Sequence, residues 1–198
     1  MKLILVEHAQ SVANAWGINQ GQKEYELSPL GKQQASKLAL RLKDEKIDFA
    51  YSSDLSRAED TAKEILEFHP DVKLVSLPEL REKHKGSYQG KHNSVLKEDL
   101  KKLGISYGDY DFDGGEKEHL VRERILAFYN KILEKHKHKT VLLVTHGGPY
   151  VNLVLYLLGR SREDYKMCKL KHGAITSIEV DDDGKHKIKI LSCVKHLE

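Results

Sequence analysis

The chain has 198 residues, 39% hydrophobic and 32% charged, with a formal net charge of +3. Those proportions exclude disorder and a membrane-embedded fold, and so mild a charge, spread among interspersed acids, makes no demand for nucleic acid. We expect one domain over residues 1–198 in the cytoplasm, because Met1-Lys2-Leu3 runs straight into a strand with no signal-peptide apolar stretch.

The first element is a buried strand, Leu3 to Val6, which ends at Glu7-His8-Ala9-Gln10-Ser11. Ser11 opens a short helix, and Gly17 to Glu26 forms a polar loop. Ser28 caps a helix with Pro29 at its first position, carrying Ala35, Leu38, Ala39 and Leu42 on one face. Ile47 to Tyr51 reads as a strand. Ser53-Asp54 then caps a helix to about Phe68, with Leu55, Ala58, Ala62, Ile65 and Leu66 along its apolar face. Val72 to Val75 is a further strand, and Leu80 to His92 a charged loop. A helix follows near Val95 to Leu103, then an exposed flap from Tyr107 to Gly115. The long helix Glu116 to Lys135 turns Ile125, Phe128, Ile132 and Leu133 inward. A second buried run, Val141 to Val144, leads through Thr145-His146-Gly147-Gly148 into a helix that starts at Pro149. Ala174 to Val180 and Lys187 to Val194 flank Asp181-Asp182-Asp183-Gly184, a hairpin signal.

Alternating strands and helices with continuous branched-aliphatic runs specify an α/β fold: a three-layer α/β/α sandwich around a mainly parallel sheet. Ligands in such sheets bind beyond the carboxyl ends of the strands. Both aliphatic runs deliver a histidine there, His8 and His146, each followed by residues that open a helix. Free amides at helix starts favour anions, so the pair points to phosphate chemistry. Arg57 stands in the first turn of its helix, where a cation costs about 0.3–1 kcal/mol against the helix dipole. Its guanidinium fork suits phosphate oxygens, although pairing with Asp54, Glu59 or Asp60 accounts for it equally.

The 11 histidines do not read as a metal centre, because no His-Glu-x-x-His or Cys-x-x-Cys spacing occurs. The dense group His136-Lys137-His138-Lys139 reads as a solvated basic turn, and Cys168 and Cys193 as reduced thiols. Neither a metal nor another cofactor is expected.

Several blocks in order resemble the histidine phosphatase superfamily. They are Val6-Glu7-His8-Ala9-Gln10-Ser11 with Asn14, Gln20-Gly21, Leu27-Ser28-Pro29-Leu30-Gly31, Ser52-Ser53-Asp54-Leu55-Ser56-Arg57-Ala58-Glu59, Gly114-Gly115-Glu116 and Val144-Thr145-His146-Gly147-Gly148. The stretch Glu82-Lys83-His84-Lys85-Gly86-Ser87-Tyr88-Gln89-Gly90-Lys91 looks closest to the phosphoglycerate mutase-like branch. The resemblance implies that fold, with a lid over roughly residues 83–115. It makes His8 the nucleophile that becomes phosphohistidine, and Glu82 the acid that protonates the leaving oxygen and then activates water. Arg57, His146, Asn14, Gln20 and Gly147 would bind phosphate.

One position departs from the pattern. The family usually has arginine before the nucleophile, and this chain has Glu7. At about 5 Å and an effective dielectric near 20, a unit charge pair is worth roughly 3 kcal/mol, so the reversal weighs heavily against a phosphate. Glu7 is protonated, or turns away to pair with Arg57, or marks a site moved to another ligand, or is a deliberate replacement. Ala9 in place of glycine, Lys83 in place of arginine and Lys85 in place of an aromatic are further departures. The reading is a metal-independent phosphomonoester phosphatase acting on a small phosphorylated substrate. The alternatives are a catalytically impaired relative that binds an anion or a protein partner, and a phosphoglycerate mutase.

Overall fold

The structure is a computed structural model and describes every residue except 106–109, 111–112 and 169. Its centre is a six-stranded sheet in the order β3-β2-β4-β1-β5-β6. The strands are β1 (Lys2–Glu7), β2 (Phe49–Ser53), β3 (Leu74–Leu77), β4 (Thr140–Thr145), β5 (Ile175–Val180) and β6 (His186–Cys193). Strands β1 to β4 run parallel, and β5 and β6 form an antiparallel hairpin at one edge, closed by a turn with Gly184 at φ +77°.

The continuous aliphatic runs are explained by burial on both faces. Leu3 and Leu5 of β1, with Val141 and Leu143 of β4, pack against Ile125, Phe128, Tyr129 and Ile132 of α5 (Glu118–Lys135) and Tyr150 and Leu153 of α6 (Gly147–Leu157). Ile4, Val6, Leu142 and Val144 point the other way, onto Leu38 and Leu42 of α2 (Pro29–Leu42) and Ala58, Ala62 and Ile65 of α3 (Ser56–Leu66). Each aliphatic side chain so buried contributes roughly 1.5–3 kcal/mol. The result is the expected three-layer sandwich. No described helix is long and apolar enough to cross a membrane.

Several boundaries differ from the sequence reading. Strands β2 and β3 each lie two residues later than expected, and α6 begins at Gly147. The cap of α3 is Leu55, which makes no side-chain cap bond. Ser53 Oγ accepts from Leu55 N at 3.2 Å, and Asp54 holds Arg81 with two bonds of 2.7 and 2.6 Å. Nor is His136 a solvated turn residue. It is buried, bonded through Nε2 to the Tyr51 hydroxyl at 2.8 Å, and stacked on Phe49. Cys168 and Cys193 are free thiols.

The Leu80–His92 loop contains a short 3-10 turn, Gly86–Tyr88. It leads to α4 (Asn93–Leu103), whose Leu96 and Leu100 pack on Tyr88 in a small core of their own. Most of the expected Tyr107–Gly115 flap lies outside the described residues.

Candidate active site

The parallel pairing of β1 and β4 sets Glu7 beside Thr145, so the two chains leave the sheet in step. His8 N donates to Thr145 O at 3.0 Å, and Gly173 N donates to His8 O at 3.2 Å. The rings of His8 and His146 consequently meet, with centroids 5.0 Å apart at 61°. His8 Nδ1 lies 2.6 Å from Ala9 O. A carbonyl only accepts, so Nδ1 carries the proton and Nε2 keeps its lone pair. Burial, with Arg57 and His172 as further causes, holds the His8 pKa well below the ordinary histidine value, and the ring is neutral at pH 7. His146 is depressed in the same way, by burial first and then by Arg57 and His8. It is fully buried, and neither of its nitrogens has a partner among the described residues.

Arg57 enters from the first turn of α3. Its terminal nitrogens donate to Gly21 O at 2.8 Å and Lys23 O at 3.1 Å, while Nε has no partner among the described residues. Burial lowers its pKa to about 10, with Glu82, Glu24 and Glu7 acting against that fall, so the cation persists at pH 7. Glu82 lies at the start of α6. Its Oε1 accepts from Lys83 N at 2.7 Å, and both oxygens accept from Gly148 N, at 3.2 and 3.3 Å. Its carbonyl receives Gln22 Nε2 at 3.0 Å and Arg124 at 3.2 Å, and Arg124 is itself paired with Glu116 at 2.7 Å.

Ser11 caps the short helix α1 (Val12–Ala15), and its hydroxyl lies 2.8 Å from Asn14 Oδ1 and 2.6 Å from Gln20 Oε1. Both amide oxygens are thus turned onto the serine. Glu7, His8, Asn14, Gln20, Arg57, Glu82, Lys85 and His172 line one cleft of about 180 Å³. That is below the usual 300–1,000 Å³ of drug-sized pockets and suits a phosphate on a small alcohol. Of the anticipated residues, His146 and Gly147 do not line this cleft. His146 lies behind His8, and a Cβ on Gly147 would sit 3.7 Å from both Glu7 Oε1 and Glu82 Oε2.

Glu7 is buried and does not pair with Arg57. Its Oε1 lies 3.6 Å from His172 Nδ1, and Oε2 has no partner among the described residues. Burial raises its pKa, which Glu82 reinforces and His172 and Arg57 oppose. His172, which stacks on His8 at 5.5 Å, was missed in the sequence, as was the Arg124 brace. The available signal was indirect. Strand β5 runs antiparallel to β1, with Ile175 beside Val6, so residues just before β5 lie against those just after β1.

The chain is similar to known proteins along its whole length. The chain is 35% identical over 207 residues to a metal-independent phosphoserine phosphatase of Arabidopsis thaliana, covering 99% of this chain and 83% of that protein. It is 31% identical over 204 residues to phosphoglycerate mutase-like protein 4 of the same plant, covering 100% and 87%. Its fold matches Bacillus stearothermophilus YhfR with a TM-score of 0.91 at 26% identity, covering 100% of this chain and 99% of that one. The family model for the histidine phosphatase superfamily (branch 1) matches residues 3–191, and the chain belongs to that superfamily.

Proposed function

We propose that the protein is a phosphomonoester phosphatase that works through a phosphohistidine on His8 and needs no metal for that chemistry. The observation that carries this reading is the Nδ1–H bond from His8 to Ala9 O, which leaves Nε2 as a neutral nucleophile in a cleft shared with Arg57 and Glu82. In the first step Nε2 forms a bond to phosphorus as the bond to the alcohol oxygen breaks, and Glu82 gives that oxygen its proton. Positive charge then grows on the His8 ring, where the Ala9 carbonyl favours it. In the second step Glu82 takes a proton from water, the new P–O bond forms, and the N–P bond breaks to release phosphate. Arg57 stabilises charge on the transferring group, with Asn14 and Gln20 as neutral donors lining the cleft, while His146, whose ring meets that of His8, and Gly147 lie outside the cleft. Of the expected lid, roughly residues 83–115, Lys85 and Asn93 line the cleft, while residues 106–109 and 111–112 lie outside the described residues. Burial raises the pKa of Glu7, which weakens its opposition to a phosphate in the pocket. Small phosphorylated hydroxy compounds such as phosphoserine suit the cleft and the activity of the plant relative.

The buried carboxyl of Glu7 also favours a second reading, an impaired relative that binds anions without turnover. A phosphatase assay on an aryl phosphate and on phosphoserine decides between them. We expect activity that His8→Ala abolishes, an acid-labile phosphoryl adduct on His8, and at least a roughly tenfold gain in Glu7→Arg. An inactive protein with neither gain nor adduct overturns the phosphatase reading. With phosphoglycerates, an isomerised product without free phosphate identifies a mutase instead.

A further inference from the structure

Glu7, His8 and His172 each offer one ligand atom, and these atoms lie within 4.8 Å of one another. They come from two separate parts of the chain, the end of β1 and the turn before β5, which is why no sequence spacing announces them. All three line the cleft. Each also has capacity to spare. Glu7 Oε2 and His172 Nδ1 have no hydrogen-bond partner among the described residues, and His8 Nε2 keeps its lone pair because Nδ1–H is spent on Ala9 O. Buried polar atoms left without partners call for a ligand or an ion.

We propose that Glu7, His8 and His172 form a binding site for a divalent transition-metal ion, with Zn²⁺ the best match, and that its occupancy silences His8 as a nucleophile. Two imidazoles and one carboxylate are a donor set that zinc accepts in tetrahedral geometry, leaving the fourth position open to the cleft. Bonds of about 2.0–2.2 Å place tetrahedral ligand atoms roughly 3.4 Å apart. Glu7 Oε1 and His172 Nδ1 are already 3.6 Å apart, so closure of the site asks for a shift of His8 or its partners of the order of 1 Å. The charges agree. Among the lining residues the carboxylates Glu7 and Glu82 offset the cations Arg57 and Lys85 when ionised, so the cleft does not repel a divalent ion outright. A divalent ion held there takes Glu7 in its ionised form. It binds through Nε2 of His8, the same lone pair that must attack phosphorus, so metal and phosphoryl group compete for one atom. The inhibitory half of this inference rests on the phosphatase reading above, whereas the site itself does not.

The test starts from chelator-treated protein titrated with Zn²⁺ by calorimetry and with Co²⁺ by visible absorption. We expect one equivalent of each and a tetrahedral cobalt spectrum. Affinity should fall at least about tenfold in Glu7→Gln and in His172→Ala, the scale on which even outer-shell partners matter. His8→Ala should change the cobalt spectrum, and His138→Ala, a surface control, should leave binding unaltered. Circular dichroism confirms that each variant is folded. One equivalent of zinc should cut turnover at least tenfold, with recovery on adding chelator. Binding that survives both Glu7→Gln and His172→Ala, or no stoichiometric binding, overturns the site. Stoichiometric zinc without loss of turnover overturns the competition. An inactive metal-free protein counts against the phosphatase reading, and the zinc and cobalt titrations still decide the site.

Discussion

Gly148 leaves the site little room. A Cβ there would meet Glu82 Oε1 at 2.4 Å, while the Gly148 amide is the donor that holds both oxygens of that carboxylate. Gly148→Ala therefore pushes Glu82 away from the position in which it can serve an alcohol oxygen. We expect kcat on an aryl phosphate to fall by about 10²–10⁴, the usual contribution of a general acid, with the circular dichroism spectrum unchanged. Arg57 is a second sensitive point, because its guanidinium reaches two carbonyls at once. A lysine has neither the fork nor the planarity, so Arg57→Lys should lower kcat/KM by roughly 10²–10³ in steady-state kinetics, as loss of a transition-state donor does.

At the scale of elements, the site depends on how α3 is fastened to the end of β1. Thr61 Oγ1 accepts from Ala9 N at 3.1 Å and donates to Arg57 O at 2.6 Å, so one buried hydroxyl joins the segment after His8 to the helix that carries Arg57. Thr61→Val keeps the shape and strands the Ala9 amide without an acceptor. Urea unfolding should register a loss of about 1–3 kcal/mol. The elements themselves were legible in the sequence wherever burial imposes a strong pattern: β1 and β4 as unbroken aliphatic runs, α2 from Ser28 and Pro29, the hairpin from its aspartates and Gly184. The entry to α3 was not. Ser53 and Asp54 have the chemistry of caps, but their side chains are used in a turn bond to Leu55 and in holding Arg81. Local propensity cannot register a partner 27 residues away. His172 escaped for a related reason. Its relation to His8 exists only because β5 runs against β1, and an isolated strand pattern carries no direction.

At the scale of the whole molecule, the sheet buries apolar side chains on both faces and closes several histidines inside. His8, His136 and His146 are buried, and burial is the first cause of a lowered pKa in each. A histidine whose folded pKa is depressed leaves the unfolded chain holding more protons, so its contribution is complete above the unfolded value near 6.5 and is lost as pH falls below it. Glu7 runs the other way, since its raised pKa favours the folded state as the medium turns acidic. Three groups outweigh one. The thermal midpoint, followed by calorimetry, should drop between pH 7 and pH 5 by on the order of 5 °C or more. The sequence carried the fold class and the meeting of His8, Arg57 and Glu82 at this scale, because each belongs to a conspicuous local block. It could not carry the fate of Glu7, which depends on how deeply the fold encloses a single carboxyl.

The amide of His8 is tied to β4 and its carbonyl to the turn before β5, so its backbone is anchored to the central sheet. Lys85 and Asn93, by contrast, reach the same cleft from the stretch that includes the separate small core of Tyr88, Leu96 and Leu100. The two histidine-bearing strand ends and the segment carrying Lys85 and Asn93 are thereby separate pieces of architecture around one cleft. If the proposed function holds, exchanging residues 83–103 as a cassette should change which phosphorylated alcohol is turned over and leave the His8-dependent step in place.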